Sequence, residues 1–213
     1  IAFGIAPDFN NLSVSGIRDV DVTDILFAEE LGYRIKLLAF SKFDDGLVQE
    51  VSPCMISLDK QISNVEGVLN AVELDTKLAG PVMLTGYGAG AEPTATAVLS
   101  DIISIVQGKQ PNAFGPKTNE LNLNVKHGKK ESNRYYIRLN VIDRSGVLAS
   151  VTEIFRKYAL SIESLLQRGR NPNEEVPVVI TTHETDYDTL QSVMKDLTNS
   201  KELISKPVCM KII

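Results

Sequence analysis

The stretch YYIRLNVIDRSGVLASVTEIFRKYALSIESLLQRG, residues 135–169, predicts a strand, a turn, a helix and a second strand in close succession. At its start the apolar residues fall at positions 135, 137, 139 and 141, the alternation of a strand with one buried face. After the turn the apolar residues recur at spacings of three and four, as on one face of a helix. Gly146 and Ser145 lie where this helix begins.

The residues that follow extend the pattern. Residues 176–184 (VPVVITTHE) and 207–213 (PVCMKII) predict two more strands, and residues 186–199 predict a helix between them. The order β-α-β-β-α-β is the ferredoxin-like split motif. On the two helices, the residues that we expect to face the core of the domain are Val147, Val151, Ile154, Phe155, Tyr158, Leu190, Val193, Met194 and Leu197.

The first half of the chain predicts several strands and two helices, the second of them PTATAVLSDIISIV at residues 93–106. A helix is expected after Asp21, a plausible cap, with Gly32 as its stop and Val22, Ile25, Leu26 and Ala28 as its apolar residues. Strands are expected in YRIKLLAFSKF, LVQEVSPCMIS, GVLNAVELDT and PVMLTGYG.

Two details of these strands bear on the topology. Pro53, within LVQEVSPCMIS, predicts a sheet edge or a bulge. The KLAG turn between the last two strands is too short for a parallel crossover, so that pair should be antiparallel. The predicted fold class is α+β: a mostly antiparallel sheet with helices on one face, followed by the ferredoxin-like βαββαβ domain. Residues 108–134 are rich in Gly, Pro, Asn and Lys and predict a linker between domains at 1–107 and 135–213.

Composition and charge narrow the class of protein. The chain has 213 residues, a net charge of −5 and a pI near 5.2, which disfavours general nucleic-acid binding. No apolar run approaches the ~20 residues that span a bilayer. Cys54 and Cys209 lie far apart, and with His127 and His183 they form no zinc-type spacing, so we predict no metal site and a cytoplasmic location. Because the chain begins IAFG, without Met, we expect a piece of a longer protein.

A glycine-rich turn lies within VMLTGYGAGAEPTATAVLSDIISIV, residues 82–106. Gly86, Gly88 and Gly90 occupy alternate positions, which does not fit G-x-G-x-x-G. Three interpretations remain open: a free-standing dinucleotide site, a structural turn with glycines at positive φ, or a turn that approaches a cofactor held mainly by other residues. In the last case Thr94 and the free amides of the helix start would face the cofactor.

The turn at residues 143–146 is the second candidate site. Ser145 is a possible helix cap, the free N–H groups of the helix start favour a carboxylate, and Asp143 is placed to take a ligand ammonium. The alternative is that Asp143 and Ser145 only satisfy local backbone groups.

Residues 135–213, with DRSGVLA and ALSIESLLQ, resemble an ACT domain, an amino-acid-sensing domain of biosynthetic enzymes. The resemblance implies pairing of domains through sheets or helices, with amino acids bound at the pair interface. It makes Asp143, Arg144, Gly146, Val147 and Leu148 candidate effector contacts. A purely dimerising role is the alternative.

The first 107 residues resemble homoserine dehydrogenase, through GIRDVDVTDILFAEELGYRIKLLAFSK, VSPCMIS, NVEGVLNAVEL and GYGAGAEPTATAVLSDI. The resemblance implies hydride transfer between NAD(P) and the homoserine/aspartate semialdehyde pair, on the route to threonine, methionine and isoleucine. It assigns the cofactor contacts to Gly86, Gly88, Gly90 and Thr94, although a domain missing from this sequence would bind most of the cofactor.

The same resemblance limits what this sequence does alone. The family's acidic substrate ligand, aspartate and catalytic lysine have no counterpart here, so no catalytic residue is assigned and the chain alone is expected to be inactive. A homodimer or homotetramer with threonine as a possible effector is implied. The alternatives are a free-standing amino-acid-binding ACT regulator without catalysis, and a dehydrogenase of another amino-acid pathway.

Overall fold

The computed structural model describes residues 2–6, 9–43, 45–109, 117, 120–121, 126, 128, 131–169 and 172–213. Most of the predicted linker, residues 108–134, lies outside this part of the chain. The strands are β1 (Ser13–Val14), β2 (Tyr33–Phe43), β3 (Leu47–Ser57), β4 (Leu69–Thr76), β5 (Gly80–Tyr87), β6 (Arg134–Ile142), β7 (Ile162–Gln167), β8 (Glu175–Thr182) and β9 (Val208–Ile212). The α-helices are α1 (Val22–Glu30), α2 (Ala91–Val106), α3 (Val147–Lys157) and α4 (Tyr187–Thr198).

The chain divides into two compact units that do not follow the order of the sequence. One unit contains Ile1–Phe9 and Leu58–Val125, and the other contains Asn10–Ser57 and Lys126–Ile213. Residues 10–57 therefore belong to the same unit as the predicted ferredoxin-like domain. The domain boundaries predicted at residues 107 and 134 stay a prediction.

The larger unit is built on a seven-stranded sheet in the order β1-β3-β9-β6-β8-β7, and β2 pairs with β3 as well. Strands β6 to β9, with α3 and α4, have the predicted β-α-β-β-α-β order. All their pairings are antiparallel, whereas β3 joins β9 in parallel through Cys54 and Met55. The α+β class and the mostly antiparallel sheet are confirmed.

One face of this sheet carries α3 and α4. The first apolar cluster contains the alternating residues of β6, the inward residues of both helices and their neighbours on β8, as the sequence predicted. Its fully or nearly fully buried members include Ile137, Leu139, Val151, Phe155, Val178, Ile180, Val193 and Leu197.

The opposite face of the sheet carries α1, so helices cover both faces of the combined sheet. Phe27 and Ala28 of α1 pack there against Tyr136, Val179 and Met210. Of the four apolar residues that predicted the inward face of α1, only Ala28 is buried, and the prediction was wrong for the other three. Their exposed fractions are Val22 69%, Ile25 46% and Leu26 53%.

Pro53 does not lie in an edge strand, which corrects the prediction. One edge of β3 pairs with β2 along its whole length, and the other edge pairs with two strands in turn. These second pairings involve Glu50 and Val51 with β1, then Cys54 and Met55 with β9. Pro53 falls in the gap between them, where a missing N–H on that side leaves no ladder bond unmade.

The smaller unit contains the β4–β5 hairpin and α2. The two strands are antiparallel, as predicted, with Leu69 opposite Tyr87 and Thr76 opposite Gly80. Helix α2 has no buried residue, and apolar side chains along it are half or more exposed. These side chains are Val98, Leu99, Ile102, Ile103, Ile105 and Val106.

Candidate functional sites

The first candidate site is the turn between β5 and α2. Gly90 is the N-cap residue of α2 and has φ +126°, a conformation that an L side chain rarely adopts. No side chain caps the helix, and the amide of Thr94 bonds the carbonyl oxygen of Gly90 at 3.2 Å. The amides of the first turn before Thr94 are therefore without intrahelical partners, except that Pro93 has no N–H.

At Gly88 the constraint is the space available to a side chain, not a positive φ. A Cβ at this position would lie 1.9 Å from Nδ2 and 2.6 Å from Cγ of Asn70, a β4 residue whose side chain crosses the turn. The amide of Gly88 also donates to the carbonyl oxygen of Val68 at 2.8 Å. By contrast, a Cβ at Gly86 would meet nothing within 4 Å. The three alternating glycines are therefore not equivalent.

An open cleft of about 750 Å³ lies beside this turn. None of the predicted cofactor residues Gly86, Gly88, Gly90 and Thr94 lines it, although their immediate neighbours do. The hydroxyl of Thr94 donates to the carbonyl oxygen of Gly90 at 2.7 Å, so it is turned back onto its own helix. The lining residues are Val68, Tyr87, Ala89, Glu92, Pro93, Thr96, Ala97 and Ser100.

The second candidate site is the turn at residues 143–148, which belongs to the larger unit. Gly146, not Ser145, is the N-cap of α3, with φ +95°, and no side chain caps this helix. The expectation that Ser145 caps α3 was therefore wrong. Val147 is buried in the first apolar cluster and Leu148 packs partly against it, so these two anchor the turn and present backbone rather than side chain.

Asp143 and Arg144 are both tied to other parts of the larger unit. The carboxylate of Asp143 accepts from Nε2 of Gln167 at 3.3 Å, and its backbone bonds Asn173 and Glu174. Nη2 of Arg144 donates to the carboxylate of Glu202 at 2.8 Å. The structure thus brings all five predicted effector residues together at one end of the sheet, with the charged side chains already paired.

A third cluster was not foreseen from the sequence. Asp24 of α1 is fully buried and accepts from the hydroxyl of Tyr136 at 2.8 Å and from Nε of Arg138 at 2.7 Å. Nη2 of Arg138 adds bonds to Asp24 and to the carbonyl oxygen of Asp19, and it pairs with Asp21 at 3.1 Å. These charge-assisted hydrogen bonds stabilise the charge on both partners.

The electrostatics of this cluster follow from burial and from the pair. Burial alone lowers the pKa of Arg138, but the hydrogen bond and charge of Asp24 outweigh burial and raise it. Burial, and then the charge of Asp24, raise the pKa of Tyr136 far above its usual range, so the phenol remains a donor. The only sequence signal was the presence of polar residues on the face of β6 opposite its apolar face.

Among the described residues, no group of three or more His, Cys, Asp or Glu side chains is placed to hold an ion. In the same part of the chain, no helix has the length and apolar character required to cross a bilayer.

Comparison with known proteins agrees on both parts of the chain. Residues 1–103 match the family model of homoserine dehydrogenase, and residues 135–200 match that of the ACT domain. The homoserine dehydrogenase of Helicobacter pylori is 32% identical over 213 residues, and that of Neisseria gonorrhoeae is 33% identical over 219. The matches cover 100% and 99% of this chain but 50% of each relative.

Solved structures give the same result. The crystal structure of a homoserine dehydrogenase from Thiobacillus denitrificans has a TM-score of 0.81 at 30% identity, over 100% of this chain and 50% of that one. One from Staphylococcus aureus has a TM-score of 0.62 at 23% identity, also over 100% of this chain and 50% of that one, which shows a shared fold. The chain spans about half the length of the relatives that it matches.

Proposed function

Residues 1–103 belong to the homoserine dehydrogenase family and residues 135–200 form an ACT domain, and from this premise we propose that the chain is part of a homoserine dehydrogenase. The reaction is the NAD(P)-dependent interconversion of L-homoserine and L-aspartate 4-semialdehyde, a step toward threonine, methionine and isoleucine. In this proposal residues 1–107 form the substrate and dimerisation region, and residues 135–213 the regulatory domain. Both cysteines are free, which fits the reducing cytoplasm.

The observation that carries this proposal is the cleft beside the β5–α2 turn, within the residues that match the dehydrogenase family. Ala89, Pro93 and Ala97 give it an apolar wall, and Tyr87 adds an exposed ring. Such a wall fits a flat ring that carries no negative charge better than it fits a phosphate. The nicotinamide, when bound, accepts or donates the hydride.

The same turn is poorly suited to the pyrophosphate of the cofactor. A helix N-terminus binds phosphate through several free N–H groups. Here Pro93 lacks one, and the carboxylate of Glu92 in the first turn repels an anion. Residues 86–94 therefore fit the nicotinamide end of NAD(P), and the phosphates are held by other residues.

The 213 residues alone are expected to be inactive. Dehydrogenation requires a positioned group that moves the hydroxyl proton, and the resemblance to the family gives that role to a lysine, whereas the described residues that line the cleft include no lysine. Absorbance at 340 nm is followed with homoserine and either NAD⁺ or NADP⁺. Turnover by this chain would refute its inactivity. No turnover by the complete polypeptide that its gene encodes would refute the dehydrogenase proposal.

The turn at 143–148 is proposed as the amino-acid effector site, with threonine as the ligand. The uncapped start of α3 offers amides to a carboxylate, and the carboxylate of Asp143 is oriented by Gln167 to receive an ammonium. Arg144, Gly146, Val147 and Leu148 complete the contacts. Isothermal titration of threonine into the chain should give heat, and Asp143→Asn should abolish it. Absence of heat with the folded chain supports a purely structural role.

A homodimer or homotetramer is proposed because of the apolar surface of the smaller unit. Val72 and Leu84 of the hairpin are 57% and 60% exposed, and Leu99 of α2 is 57% exposed. Exposed apolar side chains on both the hairpin and the helix are a mark of association. Size-exclusion chromatography with light scattering at micromolar concentration should give at least twice the monomer mass of 23.3 kDa. A monomer would contradict the proposal.

The second candidate function is a free-standing amino-acid-binding regulator without catalysis. The observation that favours it is the well-packed ACT segment with its uncapped α3, which needs no cofactor to bind an amino acid. The substrate assay on the gene-encoded polypeptide separates the two functions, because only a dehydrogenase reduces NAD(P)⁺ with homoserine.

A further inference from the structure

Helix α1 is held at its N-terminal end by a strand of the ACT segment. The carboxylate of Asp24 is fully buried and accepts two bonds from Arg138, at 2.7 and 3.1 Å, and one from Tyr136 at 2.8 Å. Both donors lie on β6, more than 110 residues away in sequence. A buried charge that is fully paired in this way cannot separate from its partner without a large cost, so β6 and the start of α1 move together.

The C-terminal end of α1 is held by a second strand. Arg168, directly after β7, pairs with the carboxylate of Glu30, the last residue of α1. The guanidinium also lies 5.1 Å from the centroid of the Phe27 ring, within the range of a cation–π contact. Phe27 is itself buried against the sheet, so Arg168 contacts both the core and the outer side of this helix end.

Residues 167 and 168 connect α1 to the candidate effector turn through the sheet. Successive side chains of an extended segment point to opposite faces. Gln167 accordingly reaches the α3 side, where its Nε2 donates to Asp143 at 3.3 Å, while Arg168 reaches the α1 side. A shift of Asp143 can therefore reach Arg168, which holds Glu30, through one hydrogen bond to Gln167 and one peptide unit.

Strand β6 provides a second connection. It spans Arg134–Ile142, so it contains Arg138 and continues directly into Asp143. The guanidinium of Arg138 also donates to Asn140 on the same strand at 3.1 Å. The two strands that border the effector turn are therefore the two strands that hold the ends of α1.

We propose that α1 is the output element of the ACT segment, with Arg138 and Arg168 as positioning residues that transmit the state of the 143–148 turn to residues 22–30. The proposal rests on the proposed function, because it takes the 143–148 turn as the regulatory site. Helix α1 belongs to the part of the chain that matches homoserine dehydrogenase, and β2 and β3 follow it directly. The effect of a ligand bound at the turn is thereby transmitted to the dehydrogenase region without any movement of a hinge.

The experiment is hydrogen exchange measured on the chain and four variants, one of them a double variant, with no ligand present. Gln167→Ala removes the bond to Asp143 and should speed exchange in both residues 143–148 and residues 22–31, by about fivefold. Gln191→Ala is the matched control on the exposed side of α4 and should change neither. In an Arg168→Gln background, Gln167→Ala should still affect the turn but add much less to α1 exchange, because the nearer connection is already cut.

Two results would overturn the proposal. One is faster exchange in the turn, or no change there, with α1 unaffected by Gln167→Ala. The other is a uniform rise in every element, α4 included, which reports a loss of global stability and no specific coupling. Threonine at millimolar concentration gives an independent arm. Binding heat without altered α1 exchange refutes the coupling and leaves the effector site standing, whereas absence of heat refutes threonine binding and leaves the variants to decide the coupling.

Discussion

The three alternating glycines of the β5–α2 turn have three different surroundings. Gly90 needs its positive φ, Gly88 needs the space that the side chain of Asn70 fills, and Gly86 needs neither. The spacing of glycines predicted a turn, and the turn is present. It did not separate their roles, because the role of Gly88 depends on where Asn70 of the neighbouring strand places its side chain.

Gly88→Ala is expected to destabilise the chain by about 1 kcal/mol, because the new methyl group must displace the amide of Asn70. Gly86→Ala, with open space around it, should change the free energy of unfolding by less than about 0.5 kcal/mol. Urea denaturation followed by circular dichroism measures both.

The double variant Asn70→Ala, Gly88→Ala separates packing from cofactor contact. If Asn70 is the reason for the glycine, the double variant should unfold like Asn70→Ala alone. If Gly88 also lies against the nicotinamide, the KM for NADP⁺ of the gene-encoded polypeptide should remain raised in the double variant. A double variant with the same KM for NADP⁺ as the unsubstituted polypeptide would contradict the predicted cofactor contact.

Cys209 is expected to make the free energy of unfolding fall at alkaline pH. Burial raises the pKa of its thiol from the ordinary 9.0 to about 12, so the folded state favours the protonated form. This contribution is fully present below pH 9.0 and is lost as pH rises toward 12. The free energy of unfolding should fall by about 1.4 kcal/mol per pH unit in that range. Cys209→Ala should show a shallower decline between pH 9 and 10 in urea titrations, and an identical slope would refute the assignment.

Helix caps show what local sequence rules predict at the scale of an element. Asp21 caps α1 in a reciprocal pair with Asp24, as its position before the helix indicated. Ser145 does not cap α3, because the chain enters that helix through Gly146 in a left-handed conformation. A side-chain oxygen one residue too early cannot reach the free amides, and that shift of one residue is beyond what a sequence pattern resolves.

Two substitutions test these cap assignments. Asp186 caps α4, with its carboxylate 2.8 Å from the amide of Thr189, and this bond lowers the pKa of Asp186. Asp186→Ala is expected to lower the midpoint of thermal unfolding by a few degrees, whereas Ser145→Ala should leave it nearly unchanged. Thermal unfolding of both variants measures the difference. Similar losses for the two would mean that Ser145 does cap its helix.

Apolar periodicity predicted the faces of α3 and α4 but not the buried face of α1. Helices α3 and α4 pack against the first apolar cluster, so apolar spacing alone identifies their inward side. Helix α1 buries Asp24 beside Phe27 and Ala28, since Arg138 supplies the countercharge. A partner 114 residues away is invisible to a local pattern.

The larger unit as a whole joins residues from both family matches in one sheet. Residues 10–57 provide β1, β2, β3 and α1, and residues 134–212 provide the remaining strands. Sequence patterns predicted the elements of each part but not this pairing, because the composition change near residue 107 marks a change of family and not of sheet. The pairing depends on which strand edges meet after folding.

Residues 135–213 expressed alone are therefore expected to be poorly stable. Without α1 the buried side chains of Tyr136, Arg138, Val179 and Met210 would be exposed, and the edge of β9 would be open. Light scattering should show self-association, and unfolding in urea should occur at a lower midpoint than in the complete chain.

A fusion provides the control for this prediction. Residues 10–57 joined to residues 126–213 through a flexible linker of ~20 residues, whose ends span about 25 Å on average, restore α1 and β3. This fusion should recover the midpoint of the larger unit. Equal behaviour of the isolated segment and the fusion would show that α1 adds nothing to the fold.

The position of β9 between β3 and β6 also affects the order in which strands can pair during synthesis. Strand β3 is translated well before β9, yet Cys54 and Met55 pair with Lys211 and Ile212. Until β9 leaves the ribosome, that part of the β3 edge is available to other nascent chains. Deletion of residues 208–213 would leave this edge open permanently, and we expect such a variant to depend on chaperones in the cell.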